Sequence, residues 1–322
     1  MSEFQKFLFE GLPVRGMLTR LTDSWQSLQG ARAERPLPAP VMKLLGELSA
    51  CALLMQSNLK FDGALIIQIA GDGPVKLAVA EARNGLLYRA TAKLHAGEAG
   101  EVAADAAFAD LVNLRGQGRC AITLDPADRP VHVQPYQGVV QLNDDEGLPL
   151  PDLAAAIEHY MAKSEQLETK VVLAADAETA AGVLIQHMPL QGEANLEGQL
   201  SAEQQAEIAD AFPRVAMKTA TLKAEELLTL PAETLLHRLF WEEQLRVFEP
   251  GTPRFACTCS RERVGRMLVN LGRDEVESVL AEQGQVEIGC DFCGVQYRFD
   301  PVDAAQLFLA DGSVQAAQGG MQ

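Results

Sequence analysis

The chain has 322 residues, 48% of them hydrophobic, and a formal charge of −17. That length and apolar content support full hydrophobic cores in two or three units. The charge repels phosphate backbones and anionic lipid, and no uncharged apolar run approaches the roughly 20 residues of a membrane helix, so neither nucleic acid nor membrane is an expected partner.

Near the start, Glu3, Lys6, Glu10 and Arg15 interrupt any apolar stretch of the kind a secretory signal needs. The expected location is therefore the reducing cytoplasm, where thiols persist. After a short strand-like opening, Leu44, Leu48, Cys51 and Met55 recur at helical spacing and predict an amphipathic helix with Cys51 as a core thiol. From Phe61 the period changes to two. Leu65, Ile67 and Ile69 share one face, Gly71-Asp72-Gly73-Pro74 turns the chain, and Val75, Leu77 and Val79 resume the alternation before a second turn at Asn84-Gly85. With no following helix or lysine, Gly71-x-Gly73 reads as a hairpin turn and not a phosphate loop.

Further on, Cys120, Ile122 and Leu124 alternate as a strand, again with a core thiol, and pair with a run from Val131 to Leu142. Pro135 and Gly138 point to an edge or a bulge in that run. Leu153, Ile157, Tyr160, Ser164 and Leu167 mark a helix, and Lys170 to Ala174 a returning strand. Residues 1–190 are thus expected to form an α+β domain built on antiparallel sheet. From Gln191 the pattern is helical only, an expected all-helical linker over 191–253. Ser201 and Gln204 have capping-box spacing, and a helix opened by Pro231 is expected to run toward Val247. Its apolar residues, Leu235, Leu236, Leu239, Phe240, Trp241, Leu245, Val247 and Phe248, spread over more than one side, so it must lie on another surface.

Four of the six cysteines fall in one short stretch, Cys257-Thr258-Cys259 and Cys290-Asp291-Phe292-Cys293. Two close pairs separated by a folded insert bring four soft ligands to one point, the pattern of a tetrahedral zinc ion. Gly294 follows the last cysteine, where backbone amides must turn toward sulfur. The segment 254–302 is therefore expected to be a small zinc-binding domain with two helices in its insert, the second capped by Asp274 and Glu277. Strands lead into and out of the second cysteine pair, and a polar tail covers 303–322, expected to fray after Ala310. Four protein ligands leave no open position for water, which argues against catalytic zinc, and a non-enzymatic role is expected. A permanently structural zinc site, a thiol oxidoreductase and an oxidation-sensitive site all remain open on spacing alone. The histidines at 95, 132, 159, 187 and 237 show no paired ligand spacing and read as structural.

Ordered motifs run the length of the chain: Val14-Arg15-Gly16, Leu45-Gly46-Glu47-Leu48, Leu59-Lys60-Phe61-Asp62-Gly63, Tyr136-Gln137-Gly138-Val139-Val140, Ser164-Glu165-Gln166-Leu167, and the two cysteine pairs. On these the chain resembles the 33 kDa heat-shock protein family, the redox-regulated holdase chaperones of bacteria, from Val14 to about Asp300. Met161 departs from the Phe expected in the Tyr-Phe-x-x-Ser-Glu-Gln pattern. The resemblance implies an ATP-independent chaperone, inactive while reduced and holding one zinc ion on Cys257, Cys259, Cys290 and Cys293. It further implies that oxidation pairs Cys257 with Cys259 and Cys290 with Cys293, releases zinc, unfolds the linker and zinc domain, and yields a homodimer that binds unfolding client proteins.

Overall fold

A computed structural model describes residues 1–97, 102–130, 133–188 and 201–318. The expected domain boundary at 190/191, His132 and the end of the tail lie outside the described residues. Contacts divide the chain into a first unit, Met1–Gly30 with Pro36–Ala256, and a second, Ala31–Arg35 with the chain from Cys257 onward.

The first unit opens with β1 (Glu3–Phe9), β2 (Val14–Leu21), α1 (Asp23–Gly30) and α2 (Ala39–Gln56). The expected meander follows as β3 (Gly63–Ala70), β4 (Val75–Arg83) and β5 (Leu87–Leu94). Then come α3 (Phe108–Val112), β6 (Arg119–Pro126), β7 (Tyr136–Gln141), α4 (Leu153–Tyr160), a π-turn over Met161–Glu165, β8 (Thr169–Ala175) and β9 (Ala180–His187). The helical part is α5 (Ala202–Ala220), α6 (Ala224–Thr229) and α7 (Ala232–Phe240), after which the chain returns to two strands, β10 (Leu245–Val247) and β11 (Arg254–Phe255). One sheet has the order β10-β1-β2-β9-β8 and the other β11-β5-β4-β3-β6-β7.

Helix α2 packs against strands of both sheets. Its residues Val41, Leu44, Leu45, Leu48, Cys51, Leu53 and Leu54 are buried on every side, so the expected one-sided amphipathic helix is in fact the centre of the first core. The far face of the β1/β2/β9 sheet carries a second core, in which Phe7, Phe9, Leu18, Val183 and Ile185 meet Val215, Leu227, Leu235, Leu239 and Phe240 of α5, α6 and α7. Strand β9 is consequently apolar on both faces, and its lack of alternation conceals it in the sequence.

Two sequence expectations for the linker are corrected. The helix opened by Pro231 stops at Phe240 instead of reaching Val247, and the linker is not all helical. The reason is the unpaired edge of β1: Leu245–Val247 add to it antiparallel, with Val247 opposite Phe7, and the ladder continues as Phe248 N donates to Lys6 O at 3.0 Å and Gly251 N to Phe4 O at 2.8 Å. The capping box at Ser201 and Gln204 forms as expected. Strand β7 is the expected edge, but its register is unbroken; Gly138 is required because a Cβ there would stand 2.4 Å from the Tyr160 hydroxyl.

Gly16 is a second close approach. It sits in register between Phe7 and Ile185, and a Cβ would fall 2.2 Å from the Phe7 ring, itself held against Phe9 and Phe240. Replacing Gly16 by Ala is expected to destabilise the first unit by about 1–3 kcal/mol through overpacking. Gly30→Ala, where nothing lies within 4 Å, should leave the urea midpoint nearly unchanged. Equal midpoints for the two variants would contradict this packing.

Candidate metal and thiol centre

The second unit contains α8 (Arg261–Leu271), α9 (Arg273–Gln283), β12 (Val286–Gly289), β13 (Gln296–Phe299) and α10 (Pro301–Gln318). Its core is small: Leu268, Val276, Val286, Phe299 and Ala304, with Leu307 and Phe308 packed alongside. The expected polar tail begins as a helix, tied down by an Arg261–Asp303 ion pair at 2.8 Å and by Arg273 over the Phe308 ring. Helix α9 starts after Gly272, at φ +104, and not on an Asp274 cap.

The first two cysteines lie directly before α8. Ser260 is the N-cap of that helix, its Oγ accepting from Arg263 N at 3.3 Å, which fixes the direction in which Cys259 leaves the helix. The other two occupy the turn between β12 and β13. There Cys290 N donates to Val295 O and Gly294 N to Cys290 O, each at 2.9 Å, with Gly294 at φ +72. The left-handed backbone requires glycine, and so does space, since a Cβ on Gly294 would meet Ala31 O at 2.7 Å. The segment Ala31–Arg35, for which the sequence carried no signal, belongs to this unit, and Arg32 Nη1 donates to Asp291 O at 2.8 Å.

All four sulfurs lie within 4.8 Å of one another, with Cys257 and Cys290 at 3.6 Å and Cys259 and Cys293 at 3.2 Å. Four sulfurs each at about 2.3 Å from a tetrahedral zinc would stand roughly 3.8 Å apart. The donor set and its spacing therefore fit zinc, and the four expected ligands are the residues brought together. The nearest pairs join the two limbs of the site, whereas in a tetrahedron all six edges are equivalent; this geometry favours no particular disulfide pairing.

Burial pushes the Cys293 thiol above its ordinary value, and hydrogen bonds with Cys259, Cys257 and Cys290 add to it, while the Val295 amide facing the sulfur acts the other way. The phenol of Tyr297 is pushed up as well, first by its hydrogen bond with Cys259 and then by burial. A dication held among the four sulfurs would favour their thiolate forms. Tyr297 is a contributor that no ligand spacing marks in the sequence.

The other two thiols differ sharply. Cys51 and Cys120 are fully buried in the first core, and burial pushes Cys120 up to about 12 and Cys51 in the same direction. They are inert core residues, as expected. His187 is structural, with its Nδ1 2.9 Å from Glu168 Oε2 and its ring stacked on Phe212. Among the described residues, no other set of His, Cys, Asp or Glu side chains converges closely enough to hold a metal ion.

The sequence profile of the family described as Hsp33 protein matches residues 2–300. A relative named 33 kDa chaperonin from Chromobacterium violaceum is 46% identical over 310 residues, covering 96% of this chain and 94% of its own length. Another of that name from Methylobacillus flagellatus is 42% identical, covering 95% and 94%. The crystal structure of an Hsp33 homologue from Thermotoga maritima shares the fold, with a TM-score of 0.73 at 20% identity over 96% of this chain and 99% of that one. With a family match across nearly its whole length and close relatives of equal extent, the chain belongs to the Hsp33 family.

Proposed function

We propose that the protein is a cytoplasmic, ATP-independent holdase chaperone whose activity is switched on by oxidation of Cys257, Cys259, Cys290 and Cys293. The observation that carries this reading is the convergence of four half-buried sulfurs in a unit whose own apolar core is small. Membership of the Hsp33 family, with relatives named chaperonins, supplies the class of activity.

Zinc, when bound, would offset part of the charge of four thiolates and tie the two limbs of the site together through Cys257, Cys259, Cys290 and Cys293. Oxidation removes the donors. One sulfur attacks a peroxide oxygen, the O–O bond breaks with loss of hydroxide, and the resulting sulfenic acid is displaced by the neighbouring thiol with release of water. The proposed products are the disulfides Cys257–Cys259 and Cys290–Cys293, each closed within one limb, so that no sulfur or metal bridge then joins the limbs. The small core of the second unit is left without its principal constraint.

The functional division follows: a chaperone core over 1–190, a releasable linker over 191–253 and a redox domain over 254–302. Strand β11 makes only a two-residue parallel pair with β5, and Cys257 follows within two residues of its end. Loss of order at Cys257 therefore starts beside the weakest pairing in that sheet. Releasing the linker would uncover the apolar face formed by Phe7, Phe9, Val183 and Ile185, a surface suited to unfolding clients or a second copy of the chain.

Three outcomes are expected. Hypochlorite or peroxide with mild heat should release one zinc per chain, consume four thiols and suppress aggregation of a thermally unfolding client; zinc release without suppression would sink the proposal. Cys290→Ser should abolish stoichiometric zinc and melt the second unit, seen as loss of protection in hydrogen exchange after Cys257, while the first core stays protected. Substituting Leu239 and Phe240 together by Ser deletes contacts with Phe7 and Phe9 worth about 3–5 kcal/mol or more. That variant should be cleaved faster between 201 and 253 and should suppress aggregation before any oxidant is added; unchanged proteolysis and activity would count against a releasable linker.

A further inference from the structure

The first unit contains a cavity of about 100 Å³ that the cysteine chemistry does not use. Its wall is apolar, made by Met55 from the end of α2, Leu65 of β3, Ile122 of β6, Met161 of the π-turn and Leu184 of β9. An apolar cavity of roughly 150 Å³ accommodates benzene, so the space here suits a branched aliphatic group or a small ring.

The polar part of the lining is built, not incidental. On the inner face of the sheet, Arg15 of β2 lies in register with Gln186 of β9 and Gln186 with Thr169 of β8. The three form a ladder: Arg15 Nε donates to Gln186 Oε1 at 3.1 Å, and Gln186 Nε2 donates to Thr169 Oγ1 at 3.2 Å. Gln186, itself buried, thus holds the guanidinium at the cavity. A second cation stands close by. Lys6 donates from Nζ to Ser57 O, in the chain between the lining residues Met55 and Asn58.

Among the described residues neither cation is paired with a carboxylate. Burial holds the Arg15 guanidinium below its ordinary value, and burial together with the Arg15 charge does the same to Lys6. Glu165 also lines the cavity, but its Oε1 already accepts from the hydroxyls of Tyr136 and Tyr160 at 3.2 and 3.1 Å. Two adjacent, partly desolvated cations beside an apolar hole call for one thing: an anion with an apolar body.

We propose that this cavity binds a small apolar monocarboxylate, its aliphatic or aromatic group among Met55, Leu65, Ile122 and Leu184 and its carboxylate paired with Arg15. The site is independent of the cysteines, so it stands or falls separately from the redox reading. The probe is isocaproate, with isocaproamide as its uncharged counterpart, titrated into the reduced full-length protein while the methyl resonances of Met55 and Met161 are followed. The acid should shift both resonances saturably and the amide should bind at least about tenfold more weakly, the loss of one charge-assisted hydrogen bond. Arg15→Gln should weaken the acid by about tenfold without affecting the amide, and Arg15→Lys should retain part of the affinity. Should Arg15→Gln fail to fold, the comparison of acid with amide on the native chain and on Arg15→Lys still decides. Absence of saturable shifts with millimolar isocaproate, equal affinity for acid and amide, or undiminished acid binding by a folded Arg15→Gln protein would each overturn the proposal.

Discussion

Four sulfurs that must share one point impose the constraint on which the second unit depends. Two of them come from the segment before α8 and two from the turn between β12 and β13, so the site closes only if both limbs and the helices between them are in place. The backbone has been shaped to allow it, with a left-handed glycine at 294 and a capped helix start at Ser260. The apolar core of the unit is too small to hold these pieces alone, and metal binding in small domains contributes on the order of 10–16 kcal/mol. Under the proposed switch, stability and sensing would thus reside in the same atoms. A ligand set that is also the principal constraint cannot be oxidised without consequence for the fold.

Under the proposed switch, selectivity among the thiols would follow from burial. Cys51 and Cys120 sit in the first core, where no thiolate can be supported, and an oxidant has no access to them. The cluster cysteines are partly exposed, and metal ligation would keep their sulfurs in the thiolate form that oxidants attack. Under the proposed switch, one chain would therefore carry both inert and reactive cysteines without any residue-specific catalyst. The difference is position in the fold.

How much of this was legible in the sequence depended on whether a residue's reason for being there is local. The convergence of the four cysteines was, because metal geometry demands close pairs, and so were the turn at Asn84-Gly85 and the alternating strands around it. Strand β9 was not, since it is buried on both faces and loses the period that betrays a strand. The end of α7 was misplaced for a different reason: Leu245 and Val247 satisfy an apolar helical pattern as well as a strand pattern, and only the open edge of β1, distant in sequence, decides between them. Helix α10 was hidden by its small and polar composition, while Arg261 and Arg273, which hold its first turns, lie on other elements. Arg15 stood inside a recognised motif, yet the apolar cavity it faces is assembled from α2, β3, β6, the π-turn and β9, which no spacing reveals.

The β1/β2/β9 sheet explains how part of the first unit could be given up without the whole. Its outer face is apolar and covered by α5, α6 and α7; its inner face meets α2, which is enclosed by both sheets. Removing the outer helices would expose Phe7, Phe9, Val183 and Ile185 but would leave the packing around Leu45, Leu48 and Leu53 intact, because those residues make their contacts inside. A core that is complete without its covering helices tolerates their loss, whereas a single shared core would collapse with them. The same asymmetry places the Arg15–Gln186–Thr169 ladder on the retained side, so the cavity would persist in either state of the linker. Two buried faces of one sheet would thus separate what the proposed switch releases from what must stay.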